Sequence, residues 1–201
     1  MGPREFEHVV AAAAAVTGQD ELVVIGSQAI LGSYGQPPES MLHSLEVDIY
    51  PLHDPDAADF IDGALGDGSQ FHLAYGYYAH GVGPETAKAP RGWQERLVMR
   101  KIPQRVASKR TAVAWCLEAH DLVLSKCAAS RDRDWDYATE ALKAEIVQAD
   151  VLLKRLSDLP VTDKLRNHIE KMLHSIISAH ALNPQNAVLR QLAANPSTGL
   201  Q

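Results

Sequence analysis

Hydrophobic and polar positions alternate along the first half of the chain in a way that predicts mixed strands and helices. Short apolar or alternating runs predict strands at 22–25, 46–51, 95–102 and 111–116, and the aromatic-rich stretch 71–78 is typical of extended chain. Apolar residues at helical spacing predict helices at 5–17, 27–34 and 55–65. We expect Ser27 to cap the second of these helices and the stretch 81–92, with its glycines and prolines, to form a loop.

Helical spacing dominates the second half. It predicts helices at 121–142, 143–156 and 162–182, followed by a tail from Asn183 that contains two prolines and frays at its end. The chain is therefore α/β (α+β) in class, with an α/β half that precedes a helical half and no internal repeat.

Composition and charge narrow the function classes. The chain has 201 residues, of which 46% are hydrophobic and 22% are charged, and its net charge is −6. A protein that binds nucleic acid over its whole surface is normally basic, so a polyanion would need a local basic patch.

The N-terminal residues and the two cysteines bear on where the protein is located. The first residues have neither the basic nor the apolar region of a signal peptide, and the apolar run 9–16 is too short to span a membrane. Cys116 and Cys127 form no CxxC pair, which argues against a disulfide framework or a structural zinc site. We expect a cytoplasmic protein without a membrane partner.

Two carboxylates are the most specific chemical feature. Glu46 and Asp48 are one residue apart, so on a strand they project to the same side while Val47 enters the core. Gly26-Ser27 follows an earlier apolar run, and such a turn allows the backbone to approach phosphate oxygens. Together they predict a site for a divalent cation and a triphosphate, and hence phosphoryl or nucleotidyl transfer. The alternative is an ordinary strand-to-helix turn beside a solvated acidic strand.

Five short segments occur in an informative order. They are IGSQA at 25–29, SLEVDIY at 44–50, GWQERL at 92–97, DLVLSK at 121–126 and RDRD at 131–134. This order resembles the nucleotidyltransferase-fold superfamily, whose fold is shared with DNA polymerase β, and within it the bacterial AbiEii-like proteins. The resemblance implies a small mixed sheet flanked by helices over residues 1–117. It also implies a helical region over 118–201 that completes the site and packs on this core.

The resemblance also implies an activity. The protein would be a nucleotidyltransferase that uses Mg2+, or Mn2+, and a nucleoside triphosphate (NTP). The acceptor would be an RNA, a protein or a small molecule, and a role as the toxin of a toxin–antitoxin pair would add an antitoxin protein as partner. One alternative is a catalytically inactive member of the fold that binds a nucleotide or a protein, and another is that the C-terminal helices chiefly form an oligomer.

In such a transferase, the protein mainly positions the reactants and neutralises charge. Glu46 and Asp48 would bind the metal and serve catalysis. Gly26 and Ser27 would bind the nucleotide, through backbone N–H groups after the glycine and through the serine hydroxyl.

A charged face follows in the second half. On one continuous helix, Arg131 lies beside an arc of roughly 100° that contains Lys126, Ser130, Arg133, Asp134 and Tyr137. Lys126 and Arg131 are candidates for contact with phosphates, and Asp134 would orient one of them or activate an acceptor hydroxyl. The alternative is a solvated helix face with ion pairs.

The chain departs from the superfamily pattern at its carboxylates. Glu46 stands where an aspartate is usual, so its carboxylate lies further from the backbone. The third carboxylate of polymerase-like members has no evident counterpart, and Glu95 on the predicted strand 95–102 is a candidate.

Other residues have a structural alternative. Tyr75, Tyr77, Tyr78 and Trp93 could stack on a base, but packing is the commoner role of such aromatic residues. Cys127 is predicted to be a buried thiol because its neighbours are mostly apolar. Asp121 falls in the first turn of a predicted helix, where the helix dipole favours an acid.

Overall fold

The computed structural model describes residues 1–103 and 111–181, and in this part of the chain five strands form one mixed sheet. The strands are β1 (Glu21–Val24), β2 (Glu46–Pro51), β3 (Tyr78–Gly81), β4 (Val98–Lys101) and β5 (Val113–Cys116). Their spatial order is β3-β2-β1-β5-β4. The pairs β1–β5 and β2–β3 are parallel, whereas β1–β2 and β4–β5 are antiparallel. The expected mixed sheet is confirmed.

Some helices alternate with the strands along the chain and flank the sheet, and others come after the last strand. The first four are α1 (Pro3–Thr17), α2 (Ile30–Ser33), α3 (Ala58–Leu65) and α4 (Gln70–Tyr75), and the later ones are α5 (Ala119–Ala129), α6 (Asp132–Lys143), α7 (Ala149–Leu156) and α8 (Asp163–Ala181). Leu182, the predicted end of the last helix, and the tail from Asn183 lie outside the described residues. Within the described ranges, no helix has the length and apolar character needed to cross a membrane.

The stretch 71–78 was wrongly predicted as extended, because most of it is the helix α4. The Ser69 side chain accepts a hydrogen bond from the backbone N–H of His72 at 3.1 Å and caps the helix. Gly76 ends the helix in the left-handed conformation, with φ 75°. These two caps outweigh the strand preference of the aromatic residues.

The predicted strand 95–102 is correct only in its second half. Trp93–Arg96 is a 3₁₀ turn that begins after Gly92, whose φ is 75°. Arg96 Nε donates to Oδ2 of the buried Asp121 at 2.7 Å, and this bond holds the turn against α5. Glu95 therefore lies on a turn and not on a strand.

Two predicted helices are shorter than expected. Residues 27–34 form a 3₁₀ turn, Ser27–Ala29, that continues into α2, and its N-cap is Gly26 without a side-chain hydrogen bond, so Ser27 is not the cap. The helix predicted at 143–156 begins only at Ala149, because α6 continues to Lys143 and Glu145 then adopts the left-handed conformation, with φ 55°.

A single hydrophobic core includes side chains from the sheet and from the later helices. Phe6 of α1, Leu22 of β1, Leu124 of α5 and Leu152 of α7 all belong to it, and each is almost completely buried. The division of the chain at residues 117 and 118 stays a prediction. The helical half reaches the sheet half through α5, which packs on α2 and on the 3₁₀ turn Ser27–Ala29.

Candidate active site

Glu46 and Asp48 project from the same side of β2, and each meets a side chain of β3. The parallel register places Glu46 opposite Tyr78 and Asp48 opposite His80. The Tyr78 hydroxyl donates to Oε2 of Glu46 at 2.9 Å, and His80 Nδ1 lies 2.9 Å from Oδ1 of Asp48. One oxygen of each carboxylate is therefore held by the neighbouring strand.

Gly26 lies directly against Asp48. A Cβ atom at position 26 would lie 1.8 Å from Oδ2 of Asp48, so only a glycine leaves room for this carboxylate. The backbone N–H of Ile25 also donates to the carbonyl of Asp48 at 3.1 Å. The Gly-Ser turn and the second carboxylate thus form one packed unit.

The carboxylate pair is electrostatically costly by itself. Burial raises the pKa of Asp48, the hydrogen bond with His80 opposes this, and the charge of Glu46 raises the pKa further. Burial, reinforced by Glu46, raises the pKa of Tyr78 to about 12, so the phenol keeps its proton and remains a donor at neutral pH. Carboxylate oxygens are the ligands that Mg2+ and Mn2+ prefer, and a divalent cation would relieve the like-charge repulsion. The described residues contain no group of three His, Cys, Asp or Glu side chains placed to hold a metal. The two carboxylates therefore fit such an ion as part of its ligand set, with triphosphate oxygens and water as the other ligands.

A second cluster contains Lys126, Arg131 and Asp134. Oδ2 of Asp134 accepts a hydrogen bond from Arg131 Nε at 2.7 Å, and its Oδ1 lies 3.4 Å from Lys126 Nζ. Lys126 Nζ also lies 4.5 Å from the centroid of the Tyr137 ring. The Tyr137 hydroxyl donates to the carbonyl of Ser27 at 3.3 Å, which connects this cluster to the Gly-Ser turn.

The charges in this cluster compensate one another. Burial lowers the pKa of Lys126, and Asp134 opposes that effect. Burial also works against ionisation of Asp134, yet the hydrogen bond from Arg131 and the charge of Lys126 hold its pKa below the usual range. Because both oxygens of the ionised, fully buried Asp134 are bonded to cations, this geometry suits the orientation of those cations more than proton abstraction.

The cluster forms across a break between two helices, so the continuous helix predicted at 121–142 was wrong. α5 ends at Ala129, Ser130 adopts the left-handed conformation with φ 56°, and Arg131 is the N-cap residue of α6. Arg131 was expected beside the charged arc of a straight helix. It contacts Asp134 at i,i+3, a spacing that a straight helix also brings together. The break instead accounts for the contact of Lys126 with Asp134, because eight residues of a straight helix would separate them by about 12 Å.

The carboxylate pair and the cationic cluster face one cavity of about 680 Å³, a volume typical of small-molecule sites. The predicted site residues that line it are Gly26, Ser27, Glu46, Asp48, Lys126 and Arg131. Asp134 lies behind this lining, where it contacts Lys126 and Arg131. Two further cations, Lys88 and Arg133, also border the cavity.

Comparison with known protein families finds one match. Residues 4–178 match the model of a protein family described as a nucleotidyltransferase of unknown function (DUF6036). The chain belongs to this family. The match includes both carboxylates and the whole cationic cluster, and the resemblance to nucleotidyltransferases is confirmed at this level. No curated protein and no solved structure matches the chain.

Some side chains of this candidate site were not predicted from the sequence. His80 and Lys88 were not candidates, and Tyr78 was a candidate for stacking on a base or for packing. Tyr78 and His80 repeat the spacing of Glu46 and Asp48, which is the signal that could have found them. That signal needs the register of β2 against β3, and periodicity along one strand does not provide it.

The remaining aromatic candidates are engaged in packing. Trp93 is buried, and Tyr75 and Tyr77 stack on each other with ring centroids 6.0 Å apart. His8 packs edge-on against both tyrosines. Cys127 is fully buried as predicted, and burial raises the pKa of its thiol to about 12.

Proposed function

We propose that this protein transfers a nucleotidyl group from an NTP to a hydroxyl group of an RNA, a protein or a small molecule. The observation that carries the proposal is that two adjacent carboxylates and a paired lysine and arginine face one cavity beside the Gly-Ser turn. Membership of a nucleotidyltransferase family supports the same reaction class.

Glu46 and Asp48 would hold the divalent cation, Mg2+ or Mn2+. When bound, this ion supplies charge neutralisation for the triphosphate and polarises the attacked phosphorus. Gly26 keeps the space in which the Asp48 carboxylate lies, and Tyr78 and His80 restrict the orientations of the two carboxylates.

Lys126 and Arg131 would pair with oxygens of the triphosphate, and Asp134 would hold both cations in place. Ser27 would add a hydroxyl at the same end of the cavity. The acceptor oxygen forms a bond to the α-phosphorus as the bond to the bridging oxygen breaks. Pyrophosphate leaves, and the acceptor proton passes to water.

The test is incubation of the full chain with each common NTP, labelled at the α-phosphate, together with Mg2+ or Mn2+ and a cell extract. We expect transfer of label to an acceptor, and a loss of roughly 100-fold in Asp48→Asn, with folding checked by circular dichroism. Absence of transfer with every NTP, together with absence of Mn2+ binding, would contradict the proposal. Nucleotide binding without transfer would favour the inactive member of the fold.

Four more specific expectations stay predictions from the sequence. They are closeness to AbiEii-like proteins, a toxin role with an antitoxin, self-association and a cytoplasmic location. Growth arrest on expression of the wild type, but not of Asp48→Asn, would support the toxin role.

A further inference from the structure

Tyr78 has a fixed position next to the first carboxylate. Its hydroxyl donates to Oε2 of Glu46 at 2.9 Å, and the two residues are direct partners across the β2–β3 pair. Its ring packs on the ring of His72, with centroids 4.7 Å apart. His72 is held in turn by the backbone N–H of Gly68, which donates to His72 Nδ1 at 3.1 Å. The phenol is therefore supported by ring packing as well as by its hydrogen bond to Glu46.

Glutamate has one more rotatable bond than aspartate, so its carboxylate can take more orientations at the same backbone position. A hydrogen bond to one oxygen removes much of this freedom and leaves the other oxygen to face a ligand. The Asp48 carboxylate has fewer accessible orientations, because its shorter side chain is already packed against Gly26 as well as bonded to His80.

We propose that Tyr78 is a positioning residue of the metal site: its hydroxyl holds Oε2 of Glu46, so that a glutamate presents Oε1 to the divalent cation where the superfamily pattern has an aspartate. The proposal rests on the proposed function, because it assumes that the carboxylate pair binds a metal. It adds a residue of β3 to the requirements for that binding.

The test is a Mn2+ titration of the full chain, followed by electron paramagnetic resonance of the free ion, without nucleotide. We expect Tyr78→Phe to weaken Mn2+ binding about tenfold. In a Glu46→Asp background, the same change should alter the affinity less than about twofold, because the shorter side chain does not reach the hydroxyl. This difference separates positioning of Glu46 from a general structural role.

Tyr77→Phe is the matched control. It removes the same atom from the preceding tyrosine, whose hydroxyl bonds to His8 at 2.8 Å and not to the carboxylate pair. Its Mn2+ affinity should equal that of the wild type. Melting curves without metal should show that each variant is folded.

Two results would overturn the inference alone. One is an unchanged Mn2+ affinity in Tyr78→Phe, and the other is an equal loss of affinity in the wild-type and Glu46→Asp backgrounds. A wild-type chain that binds no Mn2+ would overturn it together with the proposed function.

Discussion

Gly26 shows how a single absent side chain shapes the candidate site. Its backbone lies so close to Asp48 that a methyl group would occupy the place of Oδ2, at 1.8 Å. The carboxylate is the end of a side chain and can turn away at moderate cost. Position 26 is therefore expected to control the orientation of Asp48 more than the stability of the fold.

Gly26→Ala should separate these two effects. We expect a loss of about 1–2 kcal/mol in the free energy of unfolding and a loss of roughly 100-fold in nucleotidyl transfer, because the carboxylate must move. Denaturant unfolding and labelled transfer measure the two quantities. Gly35→Ala is the control, since a Cβ atom there meets nothing within 4 Å. Full activity of Gly26→Ala would contradict the assigned role.

Asp48→Asn should cost function without costing stability. Burial raises the pKa of Asp48 above its usual value of 3.8, and Glu46 adds to this effect, so the folded state disfavours the charged form. Its contribution to stability is therefore lost as the pH rises from about 3.8 through the raised pKa. Without divalent cations at pH 7, we expect the variant to be as stable as the wild type or more stable by about 1 kcal/mol. A clear drop in melting temperature would argue against this account.

Added Mn2+ extends the same comparison. A ligand that binds only the folded state raises the melting temperature, so the ion should stabilise the wild type more than Asp48→Asn. Equal stabilisation of both proteins would place the bound ion away from the carboxylate pair.

Among the elements, the break between α5 and α6 determines how the cluster of Lys126, Arg131 and Asp134 is assembled. Ser130 is one of two non-glycine residues with positive φ in the described part of the chain, and it redirects the chain so that Lys126 of α5 lies 3.4 Å from Asp134 of α6. A straight helix would separate these two residues by about 12 Å along its axis. The position of a cation in the cavity therefore depends on the conformation of one serine.

Ser130→Val is predicted to disturb this junction. A β-branched residue is strained in the left-handed conformation, so we expect a loss of about 1–3 kcal/mol in unfolding free energy and weaker NTP binding. Ser130→Gly is the matched variant and should retain NTP affinity, because glycine adopts this conformation readily. Unfolding curves and nucleotide titrations would check both. An unchanged NTP affinity in Ser130→Val would contradict the role assigned to the conformation of residue 130.

Across the whole molecule, a charged network links the sheet half to the helical half. The buried Asp121 bonds to Arg96, which precedes β4, and to Arg155 of α7. Glu118, just before α5, bonds to the same Arg155 and to His120, at 2.6 Å from the histidine. From sequence, Asp121 was explained by the helix dipole alone, but in the structure it joins two distant segments.

This network predicts how stability depends on pH. Burial opposes ionisation of Glu118, but the hydrogen bonds and charges of His120 and Arg155 lower its pKa to about 2. A lowered pKa stabilises the folded state above the usual pKa of 4.5, and this contribution is lost as the pH falls from 4.5 to about 2. We expect Glu118→Gln to flatten that acid transition and to cost roughly 1–3 kcal/mol at pH 7.

Chemical denaturation at a series of pH values would measure this effect. Glu140→Gln is the control, because Glu140 forms an exposed pair with Lys143 that should contribute little. The same acid slope in Glu118→Gln and the wild type would assign the transition to other carboxylates.

Local patterns in the sequence were sufficient to predict the class of the fold and the shared orientation of the two carboxylates. Period-two alternation placed Glu46 and Asp48 on one side of β2 and buried the residue between them, because side-chain direction in a strand depends only on position along it. Apolar neighbours likewise predicted the buried thiol of Cys127. The order of the motifs led to the nucleotidyltransferase superfamily, and the family match supports that level.

Only the tertiary structure decided which residues meet. The β2–β3 register brings Tyr78 and His80 to the carboxylates, and the break at Ser130 brings Lys126 to Asp134. These contacts join segments that are distant in sequence or depend on one backbone conformation. Their energies come from packing and pairing across the molecule, which periodicity within a segment does not encode.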